Sequence, residues 1–105
     1  MVQKIIWTAQ AQKDLKEIKD YIALDSLYYS ERMIYLIYQS CKKLRSHPEI
    51  GMFLSEEDGF DLRRILIKRY RVIYTLYNGN IYIIAVYHQA RLLPAKFDIM
   101  NNLFE

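Results

Sequence analysis

The chain has 105 residues, 52% of them hydrophobic and 26% charged, which excludes an intrinsically disordered polymer and fits one domain. No apolar run approaches the roughly 18 residues of a bilayer span, so no membrane partner is expected. Net charge is +3, and it is unevenly spread: residues 1–60 hold eight Lys and Arg against nine Asp and Glu, and residues 61–105 seven against three. The opening Met-Val-Gln-Lys-Ile-Ile-Trp has one Lys and too short an apolar run for a secretory leader. The single cysteine, Cys41, cannot form an intrachain disulfide or a cysteine-based zinc site. The expected location is the reducing cytoplasm.

Gln3 to Trp7 is a short run of β-formers and predicts a strand. Thr8 is placed to cap a helix whose apolar stripe is Ala11, Leu15, Ile18 and Ile22, with charged residues filling the other face. Asp25-Ser26 breaks the pattern and supplies a second cap. Met33 or Ile34, then Ile37, Cys41 and Leu44, continue helical spacing until His47-Pro48 ends it. The short link makes an antiparallel helical hairpin.

Residues 46–61, with Pro48, Gly51, Gly59 and the acidic run Glu56-Glu57-Asp58, are expected to form a loop. The period then changes to that of strands, over Leu62–Ile67, Tyr70–Tyr77 and Ile81–His88. Asn78-Gly79 predicts a two-residue type I′ hairpin turn. Pro94 opens a C-terminal segment expected to hold a short helix or tail with Phe97, Met100 and Phe104. The predicted fold is α+β: an N-terminal strand, a helical hairpin on one side of a twisted sheet, and a three-stranded antiparallel meander, all one domain over 1–105.

The Asn78-Gly79 turn fixes the register: Arg71 is expected to face Val86, and Arg71, Tyr77, Tyr82 and His88 to share the sheet face away from the helices. A sheet covered on one side leaves the other for a partner. Arg71 has a planar fork suited to phosphate, or it pairs with a loop acid. His88 suits proton transfer, or it is a hydrogen-bonded structural residue. The stretch 62–96 contains Arg63, Arg64, Lys68, Arg69, Arg71, Arg91 and Lys96 with no acid. It reads as a solvated surface or as a footprint for nucleic acid or an acidic protein. Of the ten tyrosines, Tyr77 and Tyr82 are the two placed to stack on a base. No metal or cofactor is expected, since the sequence has no Gly-rich phosphate loop, nucleophile-elbow Ser or metal-ligand cluster.

Several of these pieces, in this order, resemble the RelE/ParE superfamily of bacterial type II toxin–antitoxin toxins. They are Ile6-Trp7-Thr8 with Ala11, Asp14-Leu15, Tyr21-Ile22-Ala23, Leu44 with Pro48 and Gly51, Leu62-Arg63-Arg64, Tyr70–Tyr74 and Val86–Arg91. The resemblance implies a plasmid-stabilisation-type toxin neutralised by a cognate antitoxin that lays an acidic segment on it, as a homodimer or a heterotetramer with the antitoxin. Two targets are implied. A ParE-like toxin inhibits DNA gyrase and is not an enzyme. A RelE-like toxin is an mRNA endonuclease on the ribosome, with Arg71 on the phosphate and His88 as acid. A third reading is an inactive remnant that only binds antitoxin. The ParE-like reading is favoured by Tyr21-Ile22-Ala23 with Asp25-Ser26, and by His88-Gln89-Ala90-Arg91. Arg63, Arg64, Lys68, Arg69, Arg91, Tyr77 and Tyr82 are the expected binding residues in either case.

Overall fold

The computed structural model of the chain describes residue 2 and residues 4–104. Strand β1 (Ile5–Trp7) leads into helices α1 (Ala9–Ala23) and α2 (Leu27–Lys42), the latter continued by a 3-10 turn at Lys43–Arg45. Strands β2 (Met52–Glu57), β3 (Phe60–Ile67), β4 (Tyr70–Tyr77) and β5 (Asn80–His88) follow, and α3 (Ile99–Phe104) ends the chain. The five strands form one sheet in the order β1-β5-β4-β3-β2. All neighbours are antiparallel except β1 and β5. The predicted start of the first strand, Gln3, lies outside the described residues.

The helical hairpin follows the sequence pattern closely. The Thr8 hydroxyl accepts the Ala11 N–H at 3.2 Å, and the Ser26 hydroxyl accepts that of Tyr29 at 3.2 Å. Each such cap is worth about 1 kcal/mol. Ala11, Leu15, Ile37, Cys41 and Leu44 are buried against Val72, Tyr74, Ile81, Ile83 and Val86 of the sheet, with Ile18 and Ile22 packed at the edge. Burial pushes the Cys41 thiol up to about 12, so it serves as core rather than nucleophile.

The expected loop over 46–61 contains a strand, so the meander has four strands rather than three. Asp58-Gly59 closes the β2–β3 hairpin with φ of 54° and 85°, matching Asn78-Gly79 at 53° and 77°. Both pairs supply the two positive φ values of a type I′ turn. The strand is hard to read because β2 is an edge strand, with Met52 and Phe53 exposed and a bulge between Phe53 and Ser55.

The unbroken register from Asn78-Gly79 is also corrected. Tyr77 pairs with Asn80, Thr75 with Tyr82 and Tyr74 with Ile83, as predicted. Ile73 then pairs with Ala85, because Ile84 is an extra residue in β5. Such a bulge reverses the facing of everything beyond it. Arg71 pairs with Tyr87 and His88 with Tyr70. Paired residues share a face, so Arg71 stands on the side of Ile73 and Thr75, while His88 stands on the helix side with Tyr70 and Val72. The bulge sits where β1 gives way to α1. There the Thr8 hydroxyl donates to the carbonyls of Ile83 (2.9 Å) and Ile84 (3.3 Å).

The face expected to be open is covered over β4 and β5. Phe97 and Ile99 form a second core there with Leu62, Ile73, Ile84 and Ala85. The acids of the β2–β3 turn hold this segment. Glu57 Oε1 accepts the Phe97 N–H at 2.6 Å, and Lys96 Nζ lies 3.6 Å from Asp58 Oδ1. Met100, by contrast, is half exposed. Among the described residues, no helix is long and apolar enough to cross a membrane.

Candidate functional site

β1 pairs with β5 only as far as Ile83, so the outer edge of β5 lies bare beyond that point and α1 crosses it. A bare strand edge presents unpaired backbone groups. Asp14, 5% exposed, meets one of them: its Oδ2 accepts the Val86 N–H at 3.0 Å, and its Oδ1 accepts from Gln10 Nε2 at 2.8 Å. Burial raises the Asp14 pKa above the usual carboxylate value, with the Val86 and Gln10 hydrogen bonds pulling the other way.

Between α1 and the end of β5 lies a cleft of about 420 Å³ lined by Asp14, Glu17, Tyr21, Tyr70, His88 and Arg91, among others. His88 Nδ1 accepts the Ala90 N–H at 3.0 Å, which leaves Nε2 as the protonated nitrogen of the neutral ring. Its ring stands edge-on to Tyr70 at 5.4 Å. The Arg91 guanidinium lies 4.8 Å from the centroid of the Tyr87 ring, a cation–π contact. The cleft thus holds two carboxylates, an imidazole and a guanidinium.

Arg71 is not part of it. From the opposite face its Nη2 donates to the Arg91 carbonyl oxygen, and its Nε is buried with no hydrogen-bond partner among the described residues. The two residues expected as neighbours are therefore separated by the sheet, and Arg91 is the link between them. Its backbone is held by Arg71 and its side chain reaches the cleft.

The other expected binding residues are also dispersed. Alternation puts Arg63 opposite Tyr74 on the helix side and Arg64 opposite Ile73 on the other. Arg63 Nη1 donates to the Gly51 carbonyl at 2.8 Å, and Arg64 Nη2 lies 3.3 Å from Met52 Sδ. Lys68 and Arg69 form the β3–β4 turn. Tyr77 and Tyr82 do meet, with ring centroids 6.1 Å apart, and Tyr77 lies 5.3 Å from Phe60. The pair belongs to an aromatic cluster. Asp14 was missed, although an acid within the Ala11–Leu15 stripe is a signal, since a carboxylate on an apolar face needs partners. Among the described residues no group of three or more His, Cys, Asp or Glu is arranged to hold a metal ion.

The model of the family described as "ParE toxin of type II toxin-antitoxin system, parDE" matches residues 5–93. The chain belongs to the ParE toxin family. The match takes in the cleft and ends before Phe97 and Ile99. This ParE-family chain is 29% identical over 90 residues to Toxin RelE2 of Caulobacter vibrioides (strain ATCC 19089 / CIP 103742 / CB 15), covering 85% of this chain and 98% of that protein. Its fold matches a chain of the structure titled "Chromosomal ParDE TA system from P. aeruginosa", with a TM-score of 0.68 and 22% identity, over 84% of this chain and 96% of the other. That likeness shows the fold alone. The ParE-family chain is thus a toxin of the type II toxin–antitoxin class.

Proposed function

We propose that this toxin acts by binding its target, in the manner expected of a DNA gyrase inhibitor, and that a cognate antitoxin with an acidic segment neutralises it. One observation carries the reading: Arg71 and His88 stand on opposite faces of the sheet. In-line attack by a 2′-hydroxyl needs a cation on the phosphate and an acid on the leaving oxygen at one place. The Arg71 guanidinium is engaged by the Arg91 carbonyl, and Phe97 and Ile99 lie over the neighbouring sheet face. The exposed Lys68 and Arg69 of the β3–β4 turn suit an acidic antitoxin, whose association such charges speed.

The cleft favours a second reading, the ribosome-dependent mRNA endonuclease. There His88 would serve as acid, Arg91 as the phosphate cation and Glu17 as base, with Arg71 only supporting Arg91. The deciding experiment adds the purified chain to two reactions, plasmid supercoiling by gyrase and translation of a defined mRNA on ribosomes. Loss of supercoiling with intact mRNA is expected. Cleavage of mRNA with supercoiling untouched supports the second reading instead. A chain inert in both that still binds an acidic partner is an antitoxin-binding remnant.

A further inference from the structure

Tyr77 and Tyr82, the pair expected to stack on a base, are half-buried in an aromatic cluster. Other tyrosines are exposed instead. Tyr28 is 65% exposed and Tyr35 66%, and both stand on α2 on the side away from Ser30, Ile37 and Cys41, which turn inward. They help to line a groove of about 700 Å³, together with Glu31, Arg32 and Lys68. The groove shares no residue with the cleft beside α1.

Helical geometry orders these side chains around α2. Successive residues turn by about 100°, so the Tyr28 and Tyr35 rings fall between Glu31 on one flank and Arg32 on the other. Arg32 is held beside Tyr28: its guanidinium lies 5.6 Å from the ring centroid, and its Nη1 lies 3.3 Å from the hydroxyl. The Arg32 flank turns toward the sheet at Met33, which packs against the core, and Lys68 of the β3–β4 turn lines the groove there. The groove therefore has ring surfaces in the middle, two cations on one flank and a carboxylate on the other.

We infer that this groove binds single-stranded RNA, with guanine preferred beside Glu31. Unpaired bases stack on aromatic side chains, and cations follow the phosphates. Tyr28 and Tyr35 are about 10.5 Å apart along the axis, so each ring takes its own base. Phosphates on the Arg32 and Lys68 flank turn the far edges of the bases toward Glu31. A carboxylate only accepts hydrogen bonds, and guanine N1–H and N2–H present two parallel donors on that edge. Uracil presents one. An acidic helix brings no such donors and sets its carboxylates against Glu31. Duplex DNA keeps these edges paired. The inference goes beyond the proposed function and stands with either target.

The test is fluorescence anisotropy of the full chain, free of any partner, with a labelled uridine 12-mer and the same strand carrying two guanines. The oligomers are run on gels afterwards, so that cleavage is not read as release. The wild type is expected to bind both, the guanine strand about tenfold more tightly, and duplex RNA and duplex DNA more weakly than either. Tyr28→Ala and Tyr35→Ala are each expected to weaken binding about tenfold, while Tyr35→Phe, which keeps the ring, binds as wild type. Arg32→Ala and Lys68→Ala should weaken binding to both strands and lower the slope against log salt by about 0.7 each. Glu31→Ala should bring the two strands to similar affinity. Circular dichroism checks that each variant is folded. Duplexes bound as tightly as single strands, alanine variants of the tyrosines that bind as wild type, or a guanine preference that survives Glu31→Ala would each overturn the inference. So would tyrosine variants that lose only the capture of a Glu-rich helical peptide, which would make the groove a protein-docking site.

Discussion

The Asp14 carboxylate closes the bare edge of β5 by accepting the Val86 N–H at 3.0 Å. This contact joins the first helix to the last strand across 72 positions of sequence, at the point where β1 no longer covers that edge. Asp14→Ala leaves a buried N–H unpaired, which costs about 1–3 kcal/mol. Asp14→Asn keeps an acceptor for Val86, and Gln10 can turn its carbonyl to the new amide. The expected order of urea midpoints at neutral pH is wild type close to Asp14→Asn, with Asp14→Ala clearly lower.

The same residue sets a pH dependence. Burial raises its folded-state pKa above the unfolded value, so the folded chain keeps this proton to higher pH than the unfolded one. The stability contributed is fully present below the unfolded pKa and is lost as pH rises through the folded one. Between the acid end of the carboxylate range and neutrality, wild type should lose stability relative to Asp14→Asn. Paired denaturation curves across that range check the sign. A difference that stays flat would mean that the hydrogen bonds from Val86 and Gln10 cancel the burial.

Tyr74 ties the sheet to the segment before β2. Its hydroxyl accepts the Gly51 N–H at 2.9 Å and donates to the Pro48 carbonyl at 2.8 Å. Tyr74→Phe should cost about 1–3 kcal/mol through the two orphaned groups. Gly51→Ala should be at least as damaging. A Cβ there would meet the Tyr74 hydroxyl at 2.5 Å and the Arg64 carbonyl at 2.8 Å, and the backbone oxygen cannot swing away. Thermal unfolding of both variants tests this, and a Gly51→Ala chain of wild-type stability would show that the segment shifts freely.

The helical hairpin, its two caps and its buried stripe were legible because spacing alone decides them. The Asn78-Gly79 turn was legible because its chemistry is local. The bulge at Ile84 was not. It depends on where β1 ends and on the Thr8 hydroxyl reaching two carbonyls, and neither shows in the β5 sequence. That one residue moved His88 from the expected open face to the cleft beside α1. β2 escaped because its side chains do not alternate cleanly, although Asp58-Gly59 carried the same turn signal as Asn78-Gly79. The cover formed by Phe97 and Ile99 needed knowledge of Glu57 and Asp58, which read as an acidic loop and act as a clamp.

That clamp predicts how the C-terminal segment responds to change. Phe97→Ala removes a ring that is 7% exposed and should cost about 3–5 kcal/mol, while Ile99→Ala should cost about 2–5 kcal/mol. Met100→Ala, half exposed, should be within about 0.5 kcal/mol of wild type. Glu57→Ala removes the acceptor of the Phe97 N–H and should loosen the segment without unfolding the sheet. Hydrogen exchange would then show faster amides around Phe97 and unchanged amides in β4. Equal protection in Glu57→Ala and wild type would mean that Phe97 and Ile99 suffice without the clamp.

The separation of Arg71 from His88 yields the prediction that bears most on mechanism. In a binding toxin His88 contributes one acceptor, to the Ala90 N–H, and an edge contact to Tyr70. His88→Ala should then cost about 1 kcal/mol of stability and leave toxicity in cells intact. Arg71→Ala should act differently. It frees the Arg91 carbonyl, loosens the segment after β5 and weakens toxicity through Arg91, so Arg91→Ala should reproduce its effect and the double variant should be little worse than either. In a nuclease, loss of a His88 acid should slow cleavage by about 10² to 10⁴, and toxicity should vanish from a folded His88→Ala chain. Growth of induced cells, with folding checked on the purified variants, separates the two. A folded His88→Ala chain that no longer arrests growth would overturn the binding mechanism and place the chemistry in the cleft beside α1.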